Sequence, residues 1–173
     1  GFIPFIQSAF ENIALTAVLS FFYVVVFPSL MIASIGIYSY YKRYDLFYSI
    51  CYAIIINYVV AIPFYLFFPI DEVWSYHPHV RFLMTDVFPA FEREYRPLSG
   101  IDNCFPSLHT SISVTMYLIA RRGKSVFWRK FTLISMIAVI FSIFYLGIHW
   151  VTDMVGGVIL AVIASKAALR ISD

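Results

Sequence analysis

The run YLGIHWVTDMVGGVILAVIASKAAL, residues 145–169, decides the fold. From Val151 to Leu169 it is apolar but for Asp153, Lys166 and a few small polar residues. As a helix rising about 1.5 Å per residue, such a run covers the roughly 30 Å of a bilayer's hydrocarbon. Four similar runs precede it. One extends from Ile13 to Tyr41, with Pro28 expected to kink it. The next runs from Leu46 to Phe68, with Pro63 near its far end. A shorter one starts at Ser107 and stops before Arg121, and the fourth runs from Phe131 to Leu146. Prolines inside spans are tolerated where neighbouring helices shelter the freed backbone groups. Phe2–Phe10 reads as an interfacial lead-in. The pattern predicts an all-α, polytopic membrane helix bundle forming one domain over 1–173. It has about five spanning helices, or six if a further helix precedes them.

Composition agrees. The chain is 61% hydrophobic, 20% aromatic and only 13% charged, against about a quarter charged in soluble domains. The formal charge of +2 gives no reason to expect a nucleic-acid partner. Cys51 falls inside an apolar run and Cys104 in a polar loop, so they are not expected to pair. The opening Gly-Phe-Ile-Pro lacks a basic n-region and does not read as a cleavable signal peptide.

The loops orient the bundle. Lys42, Arg43 and Asp45 separate the first two spans. Arg121, Arg122, Lys124, Arg129 and Lys130 separate the third and fourth. The 71–106 connection is acidic, with Asp71, Glu72, Asp86, Glu92, Glu94 and Asp102 against Arg81, Arg93 and Arg96. The positive-inside rule places the basic loops in the cytoplasm and 71–106 outside. The reading is a multi-pass protein of the cell membrane. Trp74–Phe91 is expected to form an amphipathic helix on the outer surface, shaping lateral access for a lipid. Tyr38, Tyr40, Tyr41, Tyr44, Trp74, Trp128 and Trp150 fall near the predicted interfaces, as aromatic belts do. Asn57 reads as a helix–helix hydrogen-bonding residue, and Gly156 and Gly157 as sites of close helix packing.

Both histidine-bearing stretches then lie on the outer side. His149 and Asp153, four apart, share a helix face. The carboxylate can accept an imidazole N–H, fix the tautomer and raise the basicity of the other nitrogen. Asp153 is the acid set inside the apolar run, and an ionisable residue there is a functional candidate. Taken alone, the pair is as readily a structural hydrogen bond at a helix start. In FPSLHTSIS, 105–113, Pro106 suits a first helical turn and Ser107 its cap. The backbone N–H groups of Ser107, Leu108 and His109 are expected to point outward as an anion site. Alone, this reads as an ordinary N-cap. Arg96, before Pro97, is expected in extended backbone and can hold phosphate as a planar fork. Two histidines, a carboxylate, a helix N-terminus and an arginine on one face suit phosphoryl transfer through histidine.

These residues resemble the type 2 phosphatidic acid phosphatase (PAP2) superfamily. Its Pro-Ser-Gly-His motif is similar to Pro106-Ser107-Leu108-His109. Its Ser-Arg, five residues, His, three residues, Asp motif is similar to Ser142 through His149 and Asp153. Its first motif ends in Arg-Pro, like Arg96-Pro97. The resemblance implies a membrane phosphatase acting on a phospholipid or isoprenoid (di)phosphate. His149 is the implied nucleophile, oriented by Asp153, and His109 the acid and then base. Arg96, Ser107 and the Leu108 backbone are implied to hold phosphate, without metal or other cofactor. Three positions depart: Pro89 replaces a lysine, Ile143 an arginine and Leu108 a glycine. Arg81 and Arg93 are the candidates to supply the missing charge. The Pro-Ser-Leu-His form resembles the branch containing inositol phosphorylceramide synthases, which implies transfer of a phospho-head group to an alcohol as the alternative.

Three rivals compete. A metal site could draw on His77, His79, His109, His149 and Asp153, but closed helical ligand spacing is absent. A proton-relaying transporter or channel predicts ionisable residues at several span centres, and the second, third and fourth spans offer none. A structural subunit explains the hydrophobicity but not the convergence of motifs.

Overall fold

The computed structural model describes residues 1–94 and 96–172. Helix α1 covers Phe2–Phe10. Helix α2, Ile13–Phe21, runs through a π-helical turn at Phe22–Val26 into α3, Phe27–Tyr40. Helix α4 covers Tyr44–Phe67. The long connection holds α5 (Val73–Tyr76), a 3-10 turn (Leu83–Asp86), α6 (Phe91–Glu94) and α7 (Arg96–Ser99). Helices α8 (Leu108–Ala120), α9 (Val126–Tyr145) and α10 (Val151–Ser172) complete the chain. Among the described residues no strand forms; Ile70 and Asn103 make an isolated bridge. The fold is a polytopic helix bundle.

Four helical stretches are long and apolar enough to span a membrane: Ile13–Tyr40, Tyr44–Phe67, Val126–Tyr145 and Val151–Ser172. The fifth, α8, is shorter and packs against α4, α9 and α10. Its 13 residues reach about 20 Å, which suffices because the neighbouring helices enclose it. Its polar residues Thr110, Ser111, Ser113 and Thr115 are all buried. Asn57 of α4 donates to Ala53 O and Thr115 Oγ1 and accepts from Ser111. That is the interhelical bonding its position predicts.

The first span does not keep regular α-helix up to its proline. The wide turn lies before Pro28, where Phe27 N–H reaches back to Phe22 O. Proline has no N–H to donate, and a π turn is one way a helix absorbs that loss. The expected amphipathic helix at Trp74–Phe91 does not form either. Pro78 and Pro89 break the stretch into α5, the 3-10 turn and the start of α6. Its apolar side chains still fold inward, and Val73, Val80, Leu83, Met84 and Phe91 join a buried cluster with Tyr145, Leu146 and Ile148.

Helix α1 is stitched to this outer layer. Gln7 Nε2 donates to Arg81 O and Tyr145 O, and Arg81 N–H donates to Gln7 Oε1. Tyr145 Oη meets Thr16 Oγ1 at 2.8 Å and accepts from Asn12 N–H at 3.1 Å. Helix α9 ends on Gly147, whose φ is +79°. Ile148 N–H bonds to Ile143 O and Gly147 N–H to Phe144 O, a Schellman-type stop that suits glycine. This turn swings the chain from α9 into His149 and α10.

Candidate active site

The site forms where the starts of α8 and α10 meet. Ser107 caps α8, its hydroxyl accepting from Thr110 N–H at 3.3 Å. Its own N–H donates to Asp153 O at 3.1 Å, so the two helix starts are joined by a backbone hydrogen bond. The contact needs glycine on α10. A Cβ on Gly157 would lie 2.6 Å from Ser107 O, and one on Gly156 2.6 Å from the Phe105 ring. The helix begins at Leu108, so Pro106 precedes the cap rather than entering the first turn. Ser107 N–H is spent on Asp153; Leu108 and His109 supply the opening N–H groups of the helix.

His149 is 4% exposed and Asp153 fully buried. The imidazole Nδ1 lies 3.4 Å from Asp153 Oδ2, which also accepts Trp150 N–H at 2.8 Å. Donation from Nδ1 leaves Nε2 with its lone pair. His109 stands opposite, the two rings 6.0 Å apart. It stacks on Tyr23 at 4.0 Å and packs beside Phe27 at 4.6 Å. Both histidines line a cavity of about 230 Å³. Tyr23, Phe27, Tyr58, Tyr65, Glu72 and Leu108 contribute to its walls. Tyr65 donates to Pro106 O at 2.7 Å, which fixes the wall beside the cap.

A family model described as the PAP2 superfamily matches residues 2–167. The chain belongs to the PAP2 superfamily. Membership points to phosphatase-type chemistry on a phosphorylated substrate. No curated protein and no solved structure matches the chain.

The other residues suggested by PAP2 motifs are placed less directly. Arg96 lies in the helical turn α7, not in extended backbone. The reason is local: its guanidinium reaches back one turn to Glu92 at 2.9 Å. It also donates to Glu72 Oε1 at 2.8 Å and to Gly100 O at 2.9 Å. Trp74, Phe82 and Phe91 surround it at 5.0–5.6 Å. Burial works against its charge, but the bonds to Glu92 and Glu72 outweigh burial and raise its pKa. Arg96 therefore stands behind Glu72, one side chain back from the cavity. Arg81 is exposed and paired with Glu11 and Asp86, and Arg93 is exposed and paired with Glu94. None of the described cavity-lining residues is a lysine or arginine. Pro89 is exposed and Ile143 sits in the apolar core, so neither position offers a substitute cation.

Two placements escaped sequence reading. Glu72, one of six loop acids, is buried at the cavity wall and bonded to Arg96 and Trp74 Nε1. Nothing in the sequence separates it from the other five. Cys104 is buried, and its Sγ, a His149 ring nitrogen and an Asp153 oxygen lie within 4.8 Å of one another. That trio has metal-ligand chemistry. Cys104 Sγ donates to Ile148 O, and burial with nearby Glu72, Asp153 and Asp71 pushes its pKa up. His77 and His79, the other histidines in the chain, contact each other in the loop and do not line the cavity.

Proposed function

We propose that this PAP2 protein removes phosphate from a membrane-borne substrate, a phospholipid or isoprenoid (di)phosphate, through a phosphohistidine. His149 Nε2 attacks phosphorus as the bond to the leaving oxygen breaks, and protonated His109 gives that oxygen its proton. Neutral His109 then takes a proton from water. The oxygen so activated attacks phosphorus and breaks the P–N bond, releasing phosphate and restoring both rings. Asp153 stabilises the charge that builds on His149. The α8 N–H groups of Leu108 and His109, with Ser107 shaping the turn, face the phosphoryl oxygens. Arg96 acts from behind, neutralising Glu72 so that an anion can enter beside a carboxylate.

One observation carries this reading: two histidine rings 6.0 Å apart across a cavity, one of them backed by a buried aspartate. A phosphoryl group can bridge that gap. The cavity opening outside the cell membrane follows from the basic loops at the other end. If an alcohol enters instead of water, the same steps pass the phospho-head group to it, as in inositol phosphorylceramide synthase-like enzymes; the Pro106-Ser107-Leu108-His109 sequence supports that second reading.

The test is phosphate release by detergent-solubilised protein from phosphatidate, phosphatidylglycerophosphate and polyprenyl diphosphate, with chelator present. Release that persists in chelator and vanishes in His149→Ala supports the reading. Release abolished by chelator and restored by metal would reassign Cys104, His149 and Asp153 as ligands. Head-group transfer only with an added alcohol would establish the transferase.

A further inference from the structure

A second cavity, about 600 Å³, opens at the opposite end of the bundle, between the α3–α4 turn and the α8–α9 loop. Ile37, Leu46, Ala120 and Phe127 give it apolar walls, and Arg43 and Lys124 also line it. Tyr38 of α3 and Trp128 of α9 also line it. Their side chains are 5% and 7% exposed, and neither Tyr38 Oη nor Trp128 Nε1 completes a hydrogen bond. Among the described residues, the other buried polar side-chain atoms without a partner are serine and threonine hydroxyls. Even if joined to each other, the two groups would leave the tyrosine hydrogen without an acceptor, because indole offers none. Burying such donors unpaired is costly, so the natural occupant brings acceptor oxygens.

Positive charge prevails at this end of the bundle. Arg43 and Lys124 stand at the opening, and the α3–α4 and α8–α9 connections with the first turns of α4 and α9 also carry Lys42, Arg121, Arg122, Arg129 and Lys130 against one acid, Asp45. Asp45 engages Arg43 through Nε and Nη2, which leaves Nη1. A soluble anion has no use for apolar walls, and a neutral lipid none for this charge. A basic pocket between helix ends at the membrane surface suits an anionic head group.

We propose that this cavity binds an anionic phospholipid. A phosphate or ester oxygen accepts from Trp128 Nε1 and Tyr38 Oη, Lys124 balances its charge, Arg43 Nη1 donates beside it, and the chain lies along Ile37, Leu46 and Phe127. The site is remote from the histidines and does not depend on the reaction assigned to them.

The test uses the full chain in neutral detergent with phosphatidylglycerol, phosphatidylcholine or inorganic phosphate as probes. Lipid retention is read by native mass spectrometry and unfolding by a thermal melt. Phosphatidylglycerol should be retained one per chain and raise the melting temperature, while the other two probes do neither. The Tyr38→Phe, Trp128→Phe double variant should hold it about a hundredfold more weakly, the size of two lost charge-assisted hydrogen bonds. If that variant fails to fold, Arg43→Gln with Lys124→Gln at the rim should show the same loss. Equal retention of phosphatidylcholine, an equal shift from phosphate alone, or undiminished retention in a folded variant would overturn the proposal.

Discussion

At the residue scale, the site rests on a few side chains whose burial is compensated one by one. Asp153 is fully enclosed; its Oδ2 is met by Trp150 N–H and the His149 ring, and Thr152 Oγ1 lies 3.5 Å from its Oδ1. Asp153→Asn keeps an oxygen for Trp150 and removes the charge that stabilises imidazolium. It should lower kcat about a hundredfold or more with little change in KM or fold, read by phosphate-release kinetics beside a thermal melt. Glu72 and Arg96 make a different kind of pair, with side chains 7% and 12% exposed. Glu72→Gln leaves the guanidinium half-compensated, and about 3 kcal/mol of stability should go with it. Denaturant unfolding in detergent checks this, and Arg93→Gln, an exposed pair, should cost under about 1 kcal/mol. The histidines and Asp153 were legible because ionisable residues in apolar runs are few. Glu72 was not: in a loop with six acids, sequence gives no sign of which one turns inward.

Helices and turns set how closely those side chains meet. Gly157 lets α10 touch the cap of α8, and a Cβ there would fall 2.6 Å from Ser107 O and 2.9 Å from Thr110 Cβ. Backbone cannot yield as a flexible side chain can, so Gly157→Ala should cost about 1–3 kcal/mol. Activity should fall with it, because the shift separates His109 from His149. Gly147→Ala carries a double burden, a φ of +79° and a Cβ 2.7 Å from Val80. The spans themselves were legible to within a few residues at most ends, since lipid demands uninterrupted apolar helix. What pattern reading lost was the 71–106 connection. Its apolar residues fit an amphipathic helix, but its prolines force short turns, and only tertiary contacts decide which turns form. The same holds for Arg96: the residue before a proline favours extended backbone, and the bond to Glu92 one turn earlier overrides that preference.

On the scale of the whole molecule, the bundle is polarised. One end carries the histidine cavity beneath a short-helix layer, and the other carries the basic loops. If the positive-inside reading holds, Lys42→Cys should react with an impermeant maleimide only from the cytoplasmic side and His79→Cys only from outside. The native cysteines should stay silent: Cys104 is buried with its thiol pushed up in pKa, and Cys51 lies within α4. Labelling of His79→Cys from the cytoplasm would invert the orientation. The most direct test of the proposed chemistry is covalent. Substrate labelled in its phosphoryl group is mixed with the protein, quenched in alkali, and the peptides are mapped by mass spectrometry. The phosphohistidine account predicts an acid-labile phosphoryl on the peptide bearing His149, absent in His149→Ala and both formed and lost more slowly when His109 is changed to Gln. Turnover with no labelled histidine, or a label that survives in His149→Ala, would contradict it.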